Sequence, residues 1–108
     1  MNRWGIPDEI EKIVIKRDLR CVYCGISFRT KKSQQRGKSS PSWEHVINDI
    51  RVISLDNIVR CCISCNASKG KKNLLDWFST PYCLKRKINK KTVARIVRIH
   101  IKRYCESG

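Results

Sequence analysis

Two cysteine pairs, Cys21-x-x-Cys24 and Cys62-x-x-Cys65, stand 37 residues apart, and they constrain this chain more than any other feature. A two-residue spacer lets both sulfurs of one turn reach a single tetrahedral ion at about 2.3 Å. Two such turns complete a closed four-thiolate site with no position left open for catalysis, which is how structural Zn²⁺ is held. Cys61 adjoins the second pair. It could replace Cys62, at a less favourable spacing to Cys65; in a strand the two point to opposite faces, so one binds metal while the other packs as a small apolar residue. Cys83 and Cys105 have no comparable partners and are expected to be buried structural thiols. His45 and His100 are too unsuitably separated for a finger of two cysteines and two histidines.

The composition fits a metal staple better than disulfides. A chain of 108 residues predicts one domain, 1–108, whose core is on the small side. Seven cysteines are an odd number, and thiols inside cells usually stay reduced. The N-terminal text MNRWGIPDEIEK places acids where a signal peptide needs an apolar stretch, so the expected location is cytoplasmic. No apolar run is long enough to cross a membrane. Twenty-four Lys and Arg against nine Asp and Glu give a formal charge of +15. Four zinc-bound thiolates subtract four charges and the ion returns two, leaving +13. Such a surplus attracts polyanions, and nucleic acid is the usual one inside a cell; an acidic lipid surface is the weaker alternative.

Along the chain, IPDEIEKIVIKRDL predicts a helix with Pro7 at its first position, acids in its first turn and an apolar stripe of Ile6, Ile10, Ile13 and Val14. CVYCG is a tight turn ending in Gly25. Residues 29–41 carry five basic side chains, no acid and no bulky apolar residue, and are expected to form a loop that can meet phosphates. From Ser42 the text alternates, Trp43, His45 and Ile47 against Glu44, Val46 and Asn48. A second strand, IVRCC, follows the turn signal Leu55-Asp56-Asn57, so the two predict a hairpin. The second cysteine pair should run into a short helix. NLLDWFS supplies core and is expected to be closed by Pro81, and KTVARIVRIHIKRYC predicts a last helix with Val93, Ile96, Val97, His100 and Tyr104 on one face.

Between the cysteine pairs the residues meet a resemblance. Cys21-x-x-Cys24, then Trp43-Glu44-His45-Val46-Ile47, then Asp56-Asn57-Ile58-Val59, then Cys62-x-x-Cys65-Asn66-x-x-Lys69-Gly70 resemble the HNH endonucleases over about residues 18–80, with 81–108 as a basic helical extension. The resemblance implies a small α+β fold of the ββα-metal type, stapled by the four-cysteine zinc site and flanked by N- and C-terminal helices. It implies that His45 is the general base that activates water and that Asn57 braces the loop and orients it. Glu44 and Asn66 would hold one divalent cation, Mg²⁺ or Mn²⁺, and Lys69 could touch phosphate. Two departures stand out. Glu44 is where Asp is more frequent, and Asn66 is where many members have histidine, giving a His-Asn-Asn variant. A neutral amide is a harder ligand than imidazole, which favours Mg²⁺ or Mn²⁺ over a second Zn²⁺.

Phosphodiester hydrolysis needs a nucleophile, charge neutralisation at phosphorus and help for the departing 3′-oxygen. An imidazole titrates near neutral pH and can take a proton from water. A cation on a carboxylate and an amide oxygen keeps positions open for phosphate and water. On a strand, however, Glu44 and His45 face opposite sides, so both serve one phosphate only if the strand bends or ends there. The expectation is therefore a metal-dependent endonuclease acting on DNA, most simply double-stranded, gripped by Arg29, Lys31, Lys32, Arg36, Lys38 and Lys69 and by the basic segment 85–103. One active site nicks one strand, so double-strand cleavage would need a homodimer or two successive events. The competing readings are a zinc-knuckle nucleic-acid-binding module without catalysis, and an RNA-directed protein.

Overall fold

Pro7 is the last extended residue before α1 (Asp8–Arg17), so it caps the helix instead of opening its first turn. Asp8, Glu9 and Glu11 follow at the positive end of the helix dipole, Lys16 and Arg17 at the negative end. The computed structural model describes residues 2, 4–30, 34 and 37–105. α1 packs through Val14 onto Ile58, with Ile6 just ahead of the helix in the same cluster and Ile10 and Trp43 alongside. Ile13, expected in this stripe, is 48% exposed, because the surface that α1 covers is narrow. The helix end is fastened instead by polar bonds. Arg17 donates to the carbonyls of Leu55 (2.7 Å) and Ile58 (2.9 Å), and Asp18 Oδ2 accepts from the Arg60 amide (3.0 Å).

The first cysteine turn follows. An isolated bridge pairs Arg20 with Ser27, and the Cys21 amide donates to Ile26 O at 2.8 Å. Gly25 closes the turn at φ +81°, a conformation that costs a residue with a Cβ. The turn leans on the hairpin through Val22 N–H to Arg60 O, 3.2 Å.

The hairpin is a two-stranded antiparallel sheet of β1 (Pro41–His45) and β2 (Ile58–Cys62), in register from Pro41↔Cys62 to His45↔Ile58. β1 stops at His45 although the alternation of sequence continues to Asn48. There Asn57 draws the following residues into a loop. Its Oδ1 accepts from the Ile47 amide at 2.7 Å, and its Nδ2 donates to Ile47 O (3.3 Å) and Val52 O (2.9 Å). Cys62 then caps α2 (Ile63–Lys69), its Sγ accepting from the Cys65 amide.

Three more helices follow among the described residues of this α+β architecture. α3 (Leu74–Phe78) is capped by Asn73 Oδ1. Pro81 begins α4 (Pro81–Arg86) rather than closing α3, since a residue without an N–H is best placed where no helical bond is needed. α5 (Arg95–His100) continues into a π-helical stretch, Ile101–Cys105. It starts later than expected because the Ala94 amide is taken by Val22 O at 2.8 Å and the Thr92 hydroxyl by Lys87 O at 2.8 Å, which hold 92–94 outside the helix. The main core centres on Trp77, edge-on to Tyr23 with ring centroids 4.9 Å apart, with Val59, Cys61, Cys83 and Val97 around them. Cys83 is buried as expected. Cys105 and Tyr104 are exposed, because the π-helical stretch turns them off the face that His100 and Ile101 bury. Among the described residues, no helix is long and apolar enough to cross a membrane.

Candidate metal centre and adjoining site

The fold brings Cys21, Cys24, Cys62 and Cys65 together, their sulfurs all within 4.8 Å of one another. Cys24 and Cys62 Sγ are 3.8 Å apart. Each pair carries the same local bond, Cys24 N–H to Cys21 Sγ and Cys65 N–H to Cys62 Sγ, both 3.4 Å. Tyr82 Oη donates to Cys65 Sγ at 3.3 Å. Such donors favour the thiolate form. Hydrogen bonds from Cys21, Cys62 and Cys65 pull the Cys24 thiol far down, while Cys62 and Cys65 are pushed up by Cys21 and Cys24. Four crowded thiols cannot all ionise alone; a cation at their centre removes that conflict. These four residues could hold one metal ion. Cys61, on the opposite face of β2, is buried beside Ser42 Oγ (3.8 Å) and takes no part.

At the end of β1, Glu44 points inward, 5% exposed. Its Oε2 accepts from Tyr23 Oη at 3.0 Å and faces Lys69 Nζ at 3.1 Å. Burial raises the Glu44 carboxyl above its ordinary value, with Lys69 and Tyr23 acting against that rise. Lys69 itself is wholly buried, and its ammonium also donates to Val46 O at 2.9 Å. The expected phosphate contact of Lys69 is therefore corrected: an interior ammonium engaged by a carboxylate and a carbonyl does not reach a bound backbone.

His45 occupies the opposite face, 8% exposed, with Nε2 sealed from solvent and without a hydrogen-bond partner. Burial pushes its pKa below the usual imidazole value, and the Asp49 carboxylate nearby works against that. Asp49 is mainly engaged by Arg51, through Nε (3.0 Å), Nη2 (2.8 Å) and the backbone amide. Asn66 projects from α2 toward β1, its Nδ2 donating to Ser42 Oγ (3.1 Å) and Trp43 O (3.2 Å). Among the described residues, no hydrogen bond joins Glu44, His45 and Asn66 to one another. The bonds that Glu44 receives end on Oε2 and those of Asn66 use Nδ2, so Glu44 Oε1 and Asn66 Oδ1 remain as acceptors.

The loop behind this site is held from the C-terminal end, which sequence reasoning missed. Asp56 accepts from Ser54 Oγ (2.7 Å), Arg103 Nη1 (2.7 Å) and Tyr104 Oη (3.4 Å), and its carbonyl meets His100 Nδ1 at 2.7 Å. Burial raises the Asp56 carboxyl, but Ser54 and Arg103 together bring it below the usual value. A cleft of about 370 Å³ opens beside this clamp, lined among others by Asn48, Lys71, Lys72 and His100. Arg29 and Lys38 are exposed; Lys31, Lys32 and Arg36 lie outside the described residues. Between residues 77 and 105 the chain has nine basic side chains and no acidic one.

Comparison of the chain with family models, with curated proteins and with solved structures finds no match in any of the three.

Proposed function

We propose that this chain is a metal-dependent endonuclease of the HNH kind that hydrolyses phosphodiester bonds in duplex DNA. The observation that carries the reading is His45: a buried imidazole with an unpartnered nitrogen, standing where β1 ends, followed at once by a loop that Asn57 ties down. In this reading β1, β2 and α2 form the ββα-metal element, and Zn²⁺ fills the four-cysteine site as a structural ion. Thiolate donors in a closed set suit Zn²⁺ and leave it no catalytic position.

A second cation, Mg²⁺ or Mn²⁺, would be held by Glu44 Oε1 and Asn66 Oδ1, two hard oxygens that accept no hydrogen bond among the described residues. Its chemistry there is to neutralise charge on the phosphate and the departing 3′-oxygen. The chain's own residues do the rest. Burial lowers the His45 pKa and so favours the neutral imidazole; in this reading DNA binding opens the sealed Nε2 to the attacking water, whose proton it takes, a contribution of about 10²–10⁴-fold. Asn57 keeps the imidazole from swinging with its loop. Exposed basic residues such as Arg29, Lys38, Arg95 and Arg98 grip the backbone in place of Lys69.

One observation favours the non-catalytic reading, a zinc-knuckle nucleic-acid-binding module. Glu44 is already neutralised by Lys69, so the fold does not need a divalent cation to tolerate it. The two readings part on one assay. Supercoiled plasmid is incubated with zinc-loaded protein, with and without Mg²⁺ or Mn²⁺, against single-stranded DNA and RNA competitors at stated salt. Cation-dependent nicking is the expected outcome; tight binding without turnover under either cation establishes the module instead.

A further inference from the structure

Lys69 is the least expected residue in the fold, a lysine with no exposed surface in a chain that carries 24 basic side chains. Its position has a specific geometry. One ammonium bridges the Glu44 carboxylate (3.1 Å) and the Val46 carbonyl (2.9 Å), so it spans His45, the residue between them. Tyr23 approaches the same Oε2 from the first cysteine turn, where it lies between Cys21 and Cys24. Lys69 comes from α2, one turn beyond Cys65. Both halves of the cysteine cluster thus send a donor to the same carboxylate oxygen.

We infer that Lys69 and Tyr23 are positioning residues for the site at the end of β1, fixing Glu44 by Oε2, with Lys69 also serving as a built-in counter-ion that weakens binding of a divalent cation there. The inference rests on the endonuclease reading for its consequence in catalysis, but the counter-ion role stands on geometry alone. A fixed positive charge beside a cation ligand opposes the cation's arrival. At the same time, a carboxylate held by one oxygen offers the other in a single direction. Affinity is lowered and geometry is fixed by the same residue. The bond to Val46 O sets where the chain turns after His45, so the imidazole and the carboxylate keep their mutual placement across the two faces of β1.

The test uses the zinc-loaded full chain and Mn²⁺ as the probe, followed by its electron paramagnetic resonance, together with single-turnover cleavage. Lys69→Met should bind Mn²⁺ at least about tenfold more tightly, because a unit charge a few ångströms away has been removed. Its cleavage rate should fall at the same time. Tighter binding with slower turnover is a pairing that simple loss of structure does not give. The double variant Lys69→Met/Glu44→Gln should lose the gained affinity, and Tyr23→Phe should slow cleavage with KM for DNA unchanged. Folded Lys69→Met, with one zinc per chain, that binds Mn²⁺ as wild type does overturns the inference. Where Lys69→Met does not fold, Tyr23→Phe with wild-type turnover and wild-type Mn²⁺ affinity overturns it. Failure of the endonuclease reading looks different: wild type neither cleaves nor binds Mn²⁺, yet Lys69→Met gains a site that the double variant lacks.

Discussion

Glu44 and His45 are neighbours in the chain and opposites in environment. On the inner face of β1, the Glu44 carboxylate is met by an ammonium and a phenol, and the ammonium in turn by a carbonyl. On the outer face, the His45 imidazole is nearly as deeply buried but has a nitrogen without a hydrogen-bond partner among the described residues. Burying a polar atom without a partner typically costs about 1–3 kcal/mol, a cost that the fold avoids at Glu44 and bears at His45. The inner face is where α2 and the first cysteine turn lock to the sheet. The outer face, on our reading, supplies the general base, while the cation would approach Glu44 from the other side where β1 ends.

The comparison breaks most completely when the lock is removed at its origin. Cys62→Ser, or a strong chelator, should abolish cooperative thermal unfolding, since a structural Zn²⁺ site contributes about 10–16 kcal/mol in small domains. Far-UV circular dichroism reads this, and a sharp transition retained without metal would show that the core holds the fold by itself. Next comes Lys69→Ala, which strands the Glu44 carboxylate in the interior. Breaking a buried pair from one side costs about 3–5 kcal/mol, and denaturant titration should find a loss of that order.

Smaller effects come from the other histidine and from the clamp. Burial lowers the pKa of both His45 and His100 below 6.5, so the folded state resists protonation more than the unfolded chain does. Stability should be constant above that value and decline as pH falls below it, toward the lowered folded values. Replacing His100 by Gln should flatten part of this decline, measured as the difference between variant and wild type at equal zinc content. An unchanged slope would mean that His100 titrates alike in both states. Arg103→Ala removes an ion pair whose arginine is 65% exposed, so stability should change by less than about 1 kcal/mol. Amide exchange in the 46–57 loop should nevertheless quicken, because Asp56 loses its C-terminal anchor.

What the residues alone disclosed follows their physical range. β2 coincides with the IVRCC run, since five residues with turn signals ahead and a cysteine turn behind have local boundaries. The four cysteines meet as their spacing predicts, because a two-residue turn has few geometries. Pro81 was misread because Pro ends one helix and starts another with equal ease, and the choice depends on what α4 packs against. Lys69 was misread for a deeper reason. Nothing within its own helix marks it as interior, and its partners Glu44 and Tyr23 lie in separate segments brought close only by folding. The clamp on Asp56 is equally non-local, and its arginine looked like any other member of a basic surface. His45 could be singled out only by its company. Its depth and its orphaned nitrogen had no signature in the text.

The most direct test compares wild type with His45→Ala in single-turnover plasmid cleavage, at protein concentrations where both saturate the DNA, with Mg²⁺ or Mn²⁺ present. Loss of the imidazole should slow nicking by about 10²–10⁴-fold while DNA affinity, zinc content and melting temperature stay close to wild type. Nicking at the wild-type rate by the purified variant would contradict the account.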